Sequence, residues 1–121
     1  MKNEVSRLNL VQLRKALQQA SLPADRQIAR LKGYDVAFEV ADDFGNWCQW
    51  VLDCGDVELT TAQRSSLAAM NGLLDKMSGE RNARLWTDDA LRLRPEWEEV
   101  RRRAREILDL FGWASEDSET G

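Results

Sequence analysis

Between Pro95 and Gly112 the chain has room for little except one amphipathic helix. Trp97, Val100, Ala104, Ile107, Leu108 and Phe111 fall within an arc of about 100° on a helical wheel. Proline suits the first position of a helix, because its missing N–H would have had no partner there. Glycine suits the position just past the end, and Trp113 after Gly112 completes the form of a Schellman-type ending with an apolar contact. A segment this well punctuated must bury its stripe against other elements of the same kind.

The rest of the chain supplies them. No segment alternates with a period of two, and helical spacing recurs throughout. Leu10, Leu13, Leu17 and Ala20 predict a helix over about residues 6–20, capped by Ser6 or Asn9. Pro23 and Gly33 bracket a short second helix with Ile28 and Leu31 on its apolar side. A third runs over about residues 34–53 and stops at Gly55. A fourth begins at Thr60, where Thr60 and Gln63 have capping-box spacing, and carries Leu67, Met70, Leu74 and Met77 to a break at Ser78-Gly79. Thr87, followed by Asp88 and Asp89, caps a brief fifth that ends at Arg94-Pro95. The sequence therefore predicts an all-α fold: a single-domain helical bundle of five to six helices over residues 1–113. The end of the chain, ASEDSETG at 114–121, reads as a disordered acidic tail.

Composition narrows the chemistry. The 121 residues suffice for one domain with a real core, at 43% hydrophobic and 31% charged. No apolar run approaches the roughly 20 residues that span a bilayer, so no membrane partner is expected. MKNEVSRLNL has neither an apolar h-region nor a small-residue cleavage site, which makes a cytoplasmic location the expectation. Cys48 and Cys54, six apart, fit neither a redox pair nor a zinc knuckle and read as free thiols, at least partly buried. The chain contains no histidine. Ser-His-Asp and Cys-His nucleophilic sites are excluded, as is zinc held through imidazole. No cofactor is expected, and a non-enzymatic role is favoured.

The charge is segregated. Residues 1–32 hold seven basic and two acidic groups, residues 64–113 hold ten and nine, and residues 33–63 hold seven acids and no lysine or arginine at all. On the wheel of the third helix, Val36, Val40, Phe44, Trp47 and Val51 form a core stripe. Asp35, Glu39, Asp42, Asn46, Gln49 and Asp53 lie together on another side, within about 80°. Phe38 and Trp50 sit just beyond opposite borders of that acidic face. Gly45 inside the helix costs up to about 1 kcal/mol and suggests a kink or a close contact.

Three readings of this stretch compete. A solvated face over an aromatic core is the plainest, yet such a face ordinarily mixes signs, because like charges at i, i+4 repel. Asp35 and Glu39 are such a pair. A docking surface for a basic protein explains why the repulsion is kept: acids steer the encounter and exposed aromatics anchor it. The partner-binding set is then Asp35, Phe38, Glu39, Asp42, Asp43, Trp50, Asp53, Asp56 and Glu58, with Tyr34 as a further anchor. A Mg²⁺ site on Glu39, Asp42 and Asp43, at i, i+3, i+4, is the third, and would make the chain a nucleotide hydrolase of helical-bundle type. It lacks a glycine-rich phosphate loop.

The basic residues point less clearly. In the run Arg101–Arg103 with Arg105, the pairs Glu98–Arg102, Glu99–Arg103, Arg102–Glu106 and Arg105–Asp109 stand at i, i+4, so it reads as a mostly self-compensated surface. Helices one and two invite comparison with a helix-turn-helix regulator, but the apolar anchors after the turn fall one residue out of register. Nucleic acid is disfavoured as a partner by the acidity of residues 33–63. Trp86, Trp97 and Trp113 read as structural. In size, charge and missing catalytic groups the chain resembles, as a class, the bacterial immunity proteins, small acidic helical inhibitors that neutralise a basic toxin. That likeness implies a cytoplasmic binding protein with a cationic, toxin-like partner. The border aromatics leave room for a homodimer seam instead.

Overall fold

Residues 2–54 and 57–113 are described by the computed structural model of the protein, residues 2–6 by their backbone alone. The expected stop at Gly55, the acid Asp56 and the tail 114–121 lie outside the described residues. Six α-helices follow one another: α1 (Lys2–Ser21), α2 (Ala24–Arg30), α3 (Val36–Asp53), α4 (Thr61–Lys76), α5 (Asp88–Leu93) and α6 (Pro95–Phe111). A 3₁₀ segment, Glu80–Leu85, sits between α4 and α5. The described residues contain no strand, so the all-α bundle is what the chain forms.

The punctuation works as the residue types require. Thr60 and Gln63 make both bonds of a capping box: the Gln63 backbone N–H donates to Thr60 Oγ1 at 3.0 Å, and the Thr60 N–H to Gln63 Oε1 at 2.9 Å. Thr87 Oγ1 accepts from the Ala90 N–H at 3.0 Å. Gly112 is left-handed, at φ 70°, and the Trp113 N–H reaches the Leu108 carbonyl at 2.9 Å, which closes the Schellman ending. Phe111 and Trp113 then stack, with ring centroids 4.3 Å apart. The start of α1 differs from expectation. It begins at Lys2, so Ser6 and Asn9 are helix-interior residues rather than caps, and Asn9 is buried.

α1 packs chiefly against α3 and α6, α4 against α6 and α3, and the short α2 against α5. The core draws Leu13, Leu17 and Ala20 from α1, Val40, Phe44 and Val51 from α3, Leu67 and Met70 from α4, and Trp97, Val100 and Ile107 from α6. Each such aliphatic side chain contributes roughly 1.5–3 kcal/mol by leaving water. Cys48 joins them, fully buried, its thiol 3.8 Å from the Leu67 carbonyl, while Cys54 is half-buried. Trp47, expected in the core stripe, lies instead at its margin, partly buried in the seam with α1.

Two polar side chains of the interior bond across elements, and one of them, Arg101, stands where the sequence predicts surface. Gln27 is fully buried and its Nε2 donates to the Gln19 and Ala20 carbonyls at 3.0 and 3.2 Å, satisfying acceptors that the end of α1 leaves open. Arg101 is buried as well: Nη1 donates to the Leu91 carbonyl at 3.0 Å and Nη2 to Glu98 at 3.1 Å, which fastens α6 to α5. The remaining arginines of α6 are compensated, but only two of the four expected pairs, Glu99–Arg103 and Arg102–Glu106, form; Glu98–Arg102 and Arg105–Asp109 do not. Arg102 pairs with Glu99 and Glu106, Arg103 with Glu99 at 3.1 Å, and Arg105 reaches back to Glu98 at 3.7 Å. The hydrogen bond from Arg102 holds the Glu99 carboxyl below its ordinary range.

Thr60→Ala removes one bond of the capping box and is expected to lower stability by about 1 kcal/mol in urea denaturation. Burial pushes the Cys48 thiol up to about 12, so no thiolate forms near neutral pH. A thiol reagent such as Ellman's is therefore expected to modify Cys54 in the native protein and Cys48 only after unfolding. A Cys54→Ser variant that still reacted rapidly when folded would contradict that burial.

Candidate protein-binding surface

The acids of α3 form no ion pair among the described residues, although Lys15 of α1 lines the same small pocket as Asp43. Among the described residues, Asp35, Glu39, Asp42, Asp43, Asp53 and Glu58 have no lysine or arginine partner. Three of them contact side-chain amides instead. Asn46 Nδ2 donates to Asp42 Oδ2 at 3.3 Å, Gln49 Nε2 to Asp53 Oδ2 at 2.9 Å, and Gln19 Nε2 to Asp43 Oδ2 at 3.3 Å. An amide holds a carboxylate in place without cancelling its charge. Arg64, close to the end of the helix, donates to the Leu52 carbonyl at 3.3 Å and pairs with none of these acids.

The wheel positions translate into distinct surroundings. Asp35, Asp42, Asp53 and Glu58 are exposed, whereas Glu39 and Asp43 are half-buried. Asp43 lies in the seam between α1 and α3, beside Gln19 and Trp47, and Asp42 lies on the side facing α4. Two of the three acids considered for Mg²⁺ thus face different neighbours, and among the described residues no three Cys, Asp or Glu side chains are grouped to hold a metal ion. The border aromatics are open to solvent: Phe38 is 52% exposed, Trp50 61% and Tyr34 67%.

On the α4 side the acidic face runs into a groove of about 440 Å³. Phe38, Asp42, Gly45 and Asn46 of α3 form one wall, and Asn71, Leu74 and Asp75 of α4 the other. Ser78, Gly79 and Trp86, from the turn after α4 and the end of the 3₁₀ segment, close one end. The lining contains two carboxylates and no basic side chain. The Trp86 indole N–H is already committed to the Met77 carbonyl at 2.7 Å, so the ring offers apolar surface, not a donor. Asp75 and Trp86 escaped sequence reasoning. Asp75 belongs to a helix of mixed charge, and its meeting with Asp42 needs the register of two helices far apart in sequence. The phasing Phe38, Asp42, Gly45, Asn46 was the available signal, since i, i+4, i+7, i+8 share a face.

Gly45 neither kinks α3, which runs unbroken from Val36 to Asp53, nor admits a tight contact. A Cβ there would meet only Asn71 Oδ1, at 3.9 Å. Its effect is to leave the α3 wall of the groove without a side chain.

Comparison with protein-family models, with curated proteins and with solved structures gave no match.

Because the new methyl group has room and alanine forms helix better than glycine, Gly45→Ala is expected to raise stability by about 0.5–1 kcal/mol in denaturant titration. A loss of stability would show that the helices approach one another more closely than this groove allows.

Proposed function

We propose that this protein is a non-enzymatic binding module that captures a basic protein through the acidic face of α3. One observation carries the reading: the fold pairs Glu98, Glu99 and Glu106 of α6 with its own arginines and leaves the acids of α3 without a basic partner. Arginine was plentiful when the surface of α6 was built, so the bare face of α3 is a property of the site and not of the composition. Uncompensated carboxylates at i, i+4 cost a few tenths of a kcal/mol within the helix, and a cationic partner returns that and more. Their field speeds encounter with a positive surface, while Phe38, Trp50 and Tyr34 supply the apolar contact area from which binding energy comes.

Neutralisation of a toxin-like basic protein, in the manner of the immunity proteins that the chain resembles as a class, is the form of this function that best fits a small acidic chain without catalytic histidine. The partner's surface would carry lysine and arginine around an apolar centre.

The test uses a photo-crosslinking residue at Trp50 in the full-length protein, with the chain Asp42→Lys, Asp53→Lys as control. A basic protein is expected in the cross-linked product of the former and absent from that of the latter, whose helical circular dichroism is unchanged. An adduct with an acidic protein, or one indifferent to the two lysines, would sink the reading. A rise in melting temperature with millimolar Mg²⁺, lost in Asp42→Asn, would favour the hydrolase alternative.

A further inference from the structure

We propose that the groove between α3 and α4 is a socket for a single arginine side chain of the basic partner. The inference rests on the reading above and adds the chemistry of its centre. Asp42 stands on one wall and Asp75 on the other, and no lysine or arginine lines the space between them. Neither carboxylate has a cationic partner among the described residues. Both carboxylates are exposed, and a positive group entering here is attracted from both sides.

The apolar part of the lining selects the kind of cation. Phe38 and Trp86 present ring surface, and Leu74 and Ala41 present aliphatic surface. A guanidinium is planar, weakly hydrated and able to stack on aromatic rings while its five N–H donors reach carboxylates in two directions. Its three-carbon stem suits the apolar lining. A lysine ammonium, compact and strongly hydrated, meets the same carboxylates but gains less from the rings.

Gly45 is an independent sign that the space is kept open. It sits in mid-helix, where glycine is unfavourable, and neither backbone geometry nor a close neighbour requires it. A large side chain at this position would fill the groove from the α3 wall. The volume, about 440 Å³, is of the size of a small-ligand site and accommodates a long side chain with its hydration water.

The experiment is a titration of the full-length, ¹⁵N-labelled protein with the peptide acetyl-Gly-Arg-Gly-amide, and separately with its citrulline analogue, which has the same shape and no charge. Saturable shifts are expected at the Gly45, Asn71 and Gly79 amides and the Trp86 indole, with citrulline about tenfold weaker or worse. Asp75→Asn is expected to weaken the arginine peptide about tenfold, because it removes one charge-assisted bond, and Asp109→Asn, an exposed acid of α6 outside the groove, to leave it unchanged. Gly45→Leu, which fills the groove and alters no charge, is expected to abolish the shifts. Equal binding of the citrulline peptide, or shifts spread along α3 and indifferent to Asp75→Asn, would overturn the socket. If a basic protein cross-links at Trp50 while the peptide leaves the groove untouched, the socket fails and the protein-binding reading stands. If the peptide saturates the groove and no basic protein cross-links, the guanidinium site stands and the protein-binding reading fails.

Discussion

One part of the groove lining is fixed by two indoles packed edge to face, Trp86 in the lining and Trp97 beneath it. Trp97 on α6 is fully buried, its Nε1–H donating to the Leu85 carbonyl at 2.6 Å. Trp86 meets it edge to face, with centroids 5.3 Å apart, and donates its own N–H to the Met77 carbonyl at 2.7 Å. Through these bonds the first turn of α6, the 3₁₀ segment and the end of α4 become one unit. A buried indole must find an acceptor, and here each acceptor is a carbonyl that regular helix bonding leaves free. The arrangement holds the turn at Ser78-Gly79 against α3, and so decides where the acidic face meets α4.

The same bundle treats its two acid-rich helices in opposite ways. On α6, arginines stand three and four residues from the glutamates and form ion pairs along the helix, while Arg101 turns inward to bond α5. On α3, glutamine and asparagine occupy the equivalent neighbouring positions and hold the carboxylates without neutralising them. The first pattern gives stability and a quiet surface. The second orders the side chains and keeps their field, which is the condition for steering a cation to a surface.

Much of this was legible beforehand, and the legible parts share a cause. Capping and termination are local: Thr60 with Gln63, Thr87 with Ala90, and Gly112 with Trp113 each need only a few neighbouring residues, so the sequence exposes them directly. The core stripe of α3 was readable too, save for Trp47 at its edge, because a 3.6-residue period maps positions onto faces. Where local patterns mislead is at the interior polar groups. Nothing beside Gln27 or Arg101 announces burial, since their acceptors are the Gln19, Ala20 and Leu91 carbonyls, brought close by the crossing of helices. The start of α1 at Lys2 likewise passed beyond two residues that resemble caps.

By itself, then, the sequence determined the helical class, nearly every helix boundary, the lack of histidine chemistry, and a seven-acid stretch without a single base. These follow from composition and from interactions within one turn of helix. Tertiary structure alone decided that Asp42 turns toward α4 and Asp43 toward α1, that Asp75 joins the first of them across a groove, and that Trp86 closes its end. Those outcomes depend on how helices separated by dozens of residues rotate about their axes to bury Trp97 and Phe44. Helical period assigns a residue to a face, but only packing assigns that face a neighbour.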